Sequence, residues 1–134
     1  MKVLALRWLK FNAVGALGVG IQLACLWALV GGLGMNYLVG TALAVEAAVL
    51  HNFVWHERFT WKDRAGGPPR EVALRLLRFH AGNGLVSIAG NLVLMRLFVG
   101  ALHWKYMAAN GVTIALCSLL NFAAGEWFVF RHKR

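Results

Sequence analysis

Two segments of this 134-residue chain each occur twice, about half a chain apart. Leu6-Arg7-Trp8-Leu9-Lys10-Phe11 returns as Leu74-Arg75-Leu76-Leu77-Arg78-Phe79, and the pattern of Asn52–Trp61 returns in Asn121–Phe130. Between these segments the two halves align without a gap, once a single residue is inserted after the opening motif. We therefore predict an internal duplication, with repeat one at about 6–64 and repeat two at about 74–134.

Apolar residues fall in four runs, at residues 11–33, 36–56, 79–101 and 104–130. Each run is close to the ~20 residues that cross ~30 Å of hydrocarbon as a helix. With 60% hydrophobic residues and a mean hydropathy of +0.62, the chain is too apolar for an ordinary soluble fold. We predict an all-α membrane protein with four transmembrane helices, arranged as two tandem helical hairpins in one domain over residues 1–134. Because each repeat has two spans, the repeats should be parallel in the membrane.

The net charge of +9 is distributed unevenly along the chain. Three Lys or Arg residues precede the first run, six lie between the second and third runs, and three follow the fourth, which makes 12 of the 14. Only Arg96 and Lys105 remain for the opposite side. The positive-inside rule then places both termini and the central loop in the cytoplasm, with the protein in the cytoplasmic membrane. The charge thus encodes topology and an attraction to anionic membrane lipids, rather than binding to nucleic acid.

The segment between the repeats contains a linker followed by a basic stretch. Lys62–Pro69 is rich in Gly and Pro, which cannot continue a helix. After it, Arg70–Arg78 mixes arginines with Val and Leu, as Val3–Lys10 mixes basic and apolar residues at the start of the chain. We predict that both stretches form short helices that lie at the membrane interface before spans one and three.

The sequence contains no recognisable catalytic or metal-binding motif. His51 and His56 lie near Glu57, but their spacing matches no zinc signature. We therefore expect neither an enzyme nor a bound cofactor. The small residues Gly40 and Ala44, with Ala48 one turn further on, form a ridge that lets helices approach closely, either within one chain or across a homodimer.

Polar residues form stripes on single faces of spans three and four. One stripe consists of His80, Asn83, Ser87 and Asn91, and the other of Asn110, Thr113, Cys117 and Asn121. The duplication relates Gly15, Gly18 and Gln22 of the first repeat to Gly84, Ser87 and Asn91 of the second. Such residues either hold helices together by hydrogen bonds or provide a polar track for a headgroup that crosses the membrane. The sequence leaves both uses open.

Glu46 is an acidic residue in the middle of span two, where its insertion costs about 2.5–3.5 kcal/mol. Its counterpart in the second repeat is Ala115, so the duplication does not explain it. Either Glu46 is structural, protonated or bonded to a neighbouring helix, or it binds substrate or carries a proton.

The end of each repeat combines aromatic and charged residues with an asparagine. An aromatic belt at the membrane surface accounts for most of the aromatic residues there. It does not account for Asn52 and Asn121, which recur at the same point with a Phe behind each. Either amide could hold the end of its helix or a ligand.

The closing segment of the first repeat resembles a motif of the GtrA-like family of small four-span membrane proteins. In that family the second span typically ends in Asn-Phe-Leu-Leu-Asn-Arg-Arg-Trp/Phe-Thr-Phe, and here the stretch reads Asn52-Phe53-Val54-Trp55-His56-Glu57-Arg58-Phe59-Thr60-Trp61. His56 replaces the second Asn and Glu57 the first Arg. With the Arg/Lys-Phe opening, the resemblance covers nearly the whole chain.

The resemblance implies that the protein moves a polyprenyl-phosphate-linked sugar across the cytoplasmic membrane, for surface polysaccharide or cell-wall glycosylation. Basic residues would capture the phosphate at the inner face, Trp55, Trp61 or Trp127 would stack on the sugar, and the polar stripes would let the headgroup cross. The candidate substrate-binding residues are Arg7, Lys10, Gln22, Glu46, Asn52, Trp55, Glu57, Arg58, Arg78, His80, Asn83, Ser87, Asn91, Asn121 and Trp127.

Two other functions are compatible with the sequence. In size, span count and possession of one membrane glutamate, the chain resembles the small multidrug resistance proteins, which implies a proton-coupled exporter built around Glu46. However, that family carries its glutamate in the first span and lacks a repeat of this kind. The other alternative is a non-transporting subunit that anchors or assembles a membrane glycosyltransferase.

Overall fold

A computed structural model describes the backbone of residues 1–132 and all their side chains except those of Tyr37, Tyr106, Met107 and Asn110. The membership of Asn110 in its stripe and the terminal residues Lys133 and Arg134 therefore lie outside the described residues.

Within the described residues the protein consists of helices and connecting turns, without strands. The four α-helices are α1 (Lys2–Leu26), α2 (Tyr37–Trp55), α3 (Pro69–Met95) and α4 (Tyr106–Ala124). All four elements are long and apolar enough to cross a membrane. The prediction of an all-α protein with four spans is confirmed.

Each α-helix runs without a break into a wider π-helical turn. These turns comprise Trp27–Gly32, His56–Thr60, Arg96–Ala101 and Gly125–Val129. Their hydrogen bonds span five residues, as in the bond from the Trp61 amide to the His56 carbonyl at 2.9 Å. A widened turn shifts the direction of the side chains that follow it, and such turns are frequent at functional sites.

The basic stretches before spans one and three are not separate helices, so that prediction was wrong. Arg70–Arg78 belongs to α3, and Val3–Lys10 belongs to α1. Neither stretch contains a Gly or Pro that would interrupt a helix. With its π turn, α3 extends over Pro69–Ala101, which is about 50 Å at 1.5 Å per residue. Such a helix is longer than the hydrocarbon core of about 30 Å, so its basic first turns have room to lie in the headgroup layer.

The chain divides into two compact units between Ala65 and Gly66. At this point Gly66 and Gly67 have φ values of 88° and 93°, a backbone conformation that favours glycine. Each unit is a pair of helices. We call the pair α1–α2 hairpin 1 and the pair α3–α4 hairpin 2.

Hairpin 1 is antiparallel, and contacts between its helices occur along its length. Gly18 of α1 lies against Asn52 of α2, and nearer the base of the hairpin Phe11 stacks on His56. The two helices join at a connection in which Gly34 has φ 64°. The inner face of α2 is made of Gly40, Ala44 and Ala48, which are all buried.

Hairpin 2 is also antiparallel, and contacts between its helices likewise occur at more than one level. Ser87 of α3 bonds Asn121 of α4, and closer to the connection Met95 accepts a hydrogen bond from Thr113. Its connection bends at His103, with φ 55°. On α4 the buried face comprises Ala109, Thr113 and Cys117.

Candidate functional site

Arg7 at the base of hairpin 1 forms an ion pair with Asp63. Its Nη2 atom lies 2.5 Å from Asp63 Oδ2, and Arg64 Nε is 4.0 Å from the same oxygen. The pair joins the first turns of α1 to the segment after α2. Since Asp63 offsets the charge of Arg7, this arginine contributes less positive potential to the base than the sequence indicated. The sequence reasoning missed Asp63, and its charge within a basic linker was the available signal.

Lys10 lies one turn further along α1, over an aromatic ring of the opposite helix. Its Nζ atom is 4.7 Å from the centroid of the Phe59 ring, a cation–π geometry. Phe59 makes an edge contact with Trp55 at 6.3 Å between centroids, and Trp55 contacts the His51 ring at 6.3 Å. We call Lys10, Phe59, Trp55 and His51 the aromatic column. Arg58, next to Phe59 in sequence, is exposed.

Two ring-bearing residues of the closing segment, Trp61 and His56, are buried. Trp61 is 0% exposed, so in this structure it cannot stack on a sugar, whereas Trp55 is 45% and Trp127 66% exposed. His56, which stands where the family motif has Asn, is 1% exposed. Its ring stacks on Phe11 at 5.0 Å, and its Nδ1 atom lies 3.0 Å from Thr60 Oγ1. His56 therefore packs inside hairpin 1 rather than reaching a ligand.

Asn52 lies deeper in hairpin 1 than the basic residues. Its carboxamide fills the space where a Cβ atom on Gly18 would stand, and its Oδ1 atom is 3.2 Å from His51 Nδ1. Gln22 and Glu57 are partly buried, and Glu46 is exposed on α2. Because Asn52 contacts His51, it lies next to the aromatic column.

Hairpin 2 contains two buried charges at its base that the sequence reasoning did not single out. Arg75 is 5% and Glu126 4% exposed, and Arg75 Nη2 donates to the Gly66 carbonyl oxygen at 2.7 Å. The available signal was their correspondence to Arg7 and Glu57 in the first repeat. Of the predicted site residues in this region, Arg78 is partly buried and Trp127 is exposed.

The two predicted polar stripes meet inside hairpin 2. Asn121 Nδ2 donates to Ser87 Oγ at 3.3 Å, and Asn91 Nδ2 donates to the Ser87 carbonyl at 2.6 Å and approaches Cys117 Sγ at 4.0 Å. His80 Nδ1 lies 3.0 Å from the Leu76 carbonyl, and Asn83 is partly buried. Among the described residues, no hydrogen bond reaches the buried Oδ1 atom of Asn121. The stripes therefore form a partly satisfied polar seam between α3 and α4.

The described residues contain no group of three or more His, Cys, Asp or Glu side chains placed to hold a metal ion. What the structure offers instead is the partly buried Lys10 over an aromatic ring and the exposed Arg58 at the base of hairpin 1, and a polar seam in hairpin 2. Cations, rings and amides can bind an anionic, hydroxyl-rich group.

Comparison with known proteins identifies the family. The pattern described as "GtrA/DPMS, transmembrane domain" matches residues 10–130. The chain belongs to this family. The GtrA/DPMS domain thus includes both hairpins, and the resemblance seen in the sequence is confirmed.

A relative of this GtrA/DPMS domain is a protein of Pyrococcus furiosus named dolichol-phosphate mannosyltransferase. It is 33% identical over 110 residues, which cover 82% of this chain and 30% of the relative. The chain therefore spans less than a third of the relative's length.

The five residues that this GtrA/DPMS domain shares with the family motif differ in burial. Phe53 and Thr60 are buried and pack hairpin 1, whereas Arg58 and Phe59 are exposed and Asn52 is partly buried. Glu57, which departs from the motif, is partly buried beside them. The exposed and partly buried members of the motif, and not the buried ones, are available to a ligand.

Proposed function

We propose that this protein is a flippase that moves a polyprenyl-phosphate-linked sugar across the cytoplasmic membrane, for glycosylation of surface polysaccharide or cell wall. Membership of the GtrA/DPMS family implies a membrane function related to polyprenyl-phosphate sugars. The observation that carries the proposal is the base of hairpin 1, where Lys10 lies over the Phe59 ring and Arg58, the next residue to Phe59 in sequence, is exposed. Such a surface suits a phosphate joined to a sugar.

The basic, aromatic and amide residues among those predicted each have a role in this proposal. In hairpin 1, Lys10 and Arg58 attract the phosphate at the cytoplasmic face, whereas Arg7 contributes less because it is paired with Asp63. In hairpin 2, Arg78 supplies positive charge of its own. Trp55 and Trp127 are the exposed rings available to a sugar. Asn52 and the polar seam of hairpin 2 then provide hydrogen bonds along the spans, while the prenyl chain stays in lipid. The chain itself would carry out no glycosyl transfer.

The proposal includes a topology and leaves room for assembly. Both termini and the central linker lie in the cytoplasm, and the two hairpins are parallel. Ala16 and Gly20 are exposed small residues on α1, where a second copy could pack closely. The oligomeric state should therefore be measured in the same preparation as activity.

The test is transbilayer movement of a fluorescent polyprenyl-phosphate sugar in liposomes that contain the purified protein. We expect movement well above that in empty liposomes. Replacing Lys10 and Arg58 by Gln should slow it about tenfold or more, because hydrogen bonds to charged groups contribute about 1.5–3 kcal/mol. Lys105→Gln is the matched control, since Lys105 is exposed like Arg58 but lies at the start of α4, in the connection of hairpin 2. Movement equal to that in empty liposomes would contradict the flippase proposal.

A second function is favoured by the length of the relative. A protein named as a mannosyltransferase contains a region similar to this chain that makes up only 30% of its length. The chain could correspondingly serve as a membrane subunit that assembles with a separate glycosyltransferase. Absence of movement in liposomes, together with co-purification of a glycosyltransferase from the native membrane, would support this function over the first.

A further inference from the structure

The aromatic column follows one face of the second span of hairpin 1. His51, Trp55 and Phe59 are four residues apart, which places them one above another on a helix. Lys10 of α1 joins them at the basal end, 4.7 Å from the centre of the Phe59 ring. The column therefore presents a cation, two aromatic rings and an imidazole in order from the base towards the middle of the span.

The two rings of the column are accessible. Trp55 is 45% and Phe59 39% exposed, and their planes are nearly perpendicular at 85°. Because Lys10 occupies a face of Phe59, Trp55 is the ring with more surface to offer. Beside it, His51 Nδ1 and Asn52 Oδ1, 3.2 Å apart, supply polar atoms one turn deeper.

Hairpin 2 lacks such a column at the equivalent positions. Where hairpin 1 has His51, Trp55 and Phe59, the second repeat has Leu120, Ala124 and Phe128. Ala124 and Phe128 both lie within 4 Å of the point where a Cβ atom on Gly82 would stand, so they pack against α3. Trp27 in the π turn at the other end of α1 is also exposed, but it does not belong to an aromatic column. An aromatic belt alone would not require a cation and an imidazole aligned with the rings of one hairpin.

We propose that the aromatic column is the headgroup site, with the phosphate at Lys10 and the sugar ring on Trp55. This inference rests on the proposed function and adds an order: the sugar lies deeper than the phosphate, near the polar atoms of His51 and Asn52. The headgroup thus points into the span, as it must when it begins to cross. Since hairpin 2 has no second column at the equivalent positions, each chain binds one lipid-linked sugar.

The test compares three probes on the purified full chain in lipid nanodiscs. They are farnesyl phosphate and farnesyl phosphate carrying either mannose or glucose, with bound lipid counted by native mass spectrometry. We expect one probe per chain and tighter binding of at least one glycosylated probe. Trp55→Leu should weaken binding of the preferred glycosylated probe by about tenfold, which removes most of its advantage, and should leave the Kd of farnesyl phosphate unchanged. Trp55→Phe should restore part of the advantage, because it keeps a ring.

Lys10→Gln gives a different expected result, namely weaker binding of all three probes by a similar factor of about ten. Trp27→Leu is the matched control and should change neither quantity. A folded Trp55→Leu protein that keeps its full preference for the sugar would overturn the column, while the flippase proposal would stand. If the wild-type protein bound none of the probes, the flippase proposal would fail and the column with it. Circular dichroism and size-exclusion chromatography establish that each variant is folded.

Discussion

His56 shows how one substitution in a motif can change the role of a position. The family motif has Asn there, and this chain has a fully buried imidazole that stacks on Phe11 and meets the edge of Trp61 at 5.2 Å. Aromatic packing of this kind contributes to stability beyond the apolar area that it buries. A buried imidazole also needs hydrogen-bond partners, and Thr60 Oγ1 provides one at 3.0 Å. The histidine and the threonine therefore work as a pair.

We predict that Thr60→Val destabilises the protein by about 1–3 kcal/mol, because it removes a hydrogen-bond partner from a buried polar group without changing the side-chain shape much. In a His56→Phe background the same change should cost little, since a phenyl ring keeps the stack and needs no partner. Unfolding by SDS in mixed micelles, followed by circular dichroism, measures both values. Equal costs in the two backgrounds would show that the 3.0 Å contact contributes nothing.

At the scale of helices, the two hairpins use different residues at the same point of contact. In hairpin 1 Gly18 leaves space that the Asn52 carboxamide occupies, whereas in hairpin 2 Ser87 is large enough to accept a hydrogen bond from Asn121. Small residues let membrane helices approach closely, and hydrogen bonds between helices add on average about 0.6 kcal/mol. Hairpin 1 thus relies on close contact at this position, and hairpin 2 on a polar bond.

This difference predicts that Gly18→Ala destabilises hairpin 1 by about 1–3 kcal/mol, because the added methyl group would overlap the carboxamide, with Asn52 Nδ2 only 2.7 Å from it. Gly15→Ala is a matched control on the same helix, since a Cβ atom there meets nothing within 4 Å. That control should be neutral or slightly stabilising, because Ala has the higher helix propensity. The same SDS titration measures both variants. Similar results for Gly15 and Gly18 would contradict the close contact with Asn52.

For the molecule as a whole, the number of spans could be predicted from the sequence. Peptide groups in hydrocarbon must form internal hydrogen bonds, so an apolar run of about 20 residues becomes a helix whatever its neighbours are. The same rule does not locate the end of a helix outside the hydrocarbon. The apolar runs start near residues 11 and 79, but α1 begins at Lys2 and α3 at Pro69. These earlier starts could not be predicted from the apolar runs.

The candidate site could be predicted only in part, for a physical reason. Residue types and charge indicated the basic base of hairpin 1, with Lys10, Arg58 and Trp55. The sequence could not indicate that Trp61 is buried or that Asp63 binds Arg7, because both depend on how two helices are aligned against each other. Helical periodicity places a residue on a face of its own helix, but it does not specify what lies opposite.

The placement of 12 of the 14 Lys and Arg residues before the first run, between the second and third, and after the fourth predicts the topology of the whole molecule. In a chain without Cys25 and Cys117, a cysteine at Ala65 should react with a membrane-impermeant maleimide only after cells are opened. Cysteines at Leu33 and Leu102, which are exposed in the connections of the two hairpins, should react in intact cells. Leu33 reports on the orientation of hairpin 1, and Leu102 on that of hairpin 2. Reaction of one connection but not the other would contradict four full spans, because two-span hairpins joined by a linker on one side place both connections on the opposite side. Reaction of Ala65→Cys alone in intact cells would show that the molecule is inserted the other way round. Labelling of both connections, with protection of position 65, requires parallel hairpins whose basic bases face the cytoplasm, where the headgroup of a lipid-linked sugar would first meet Lys10.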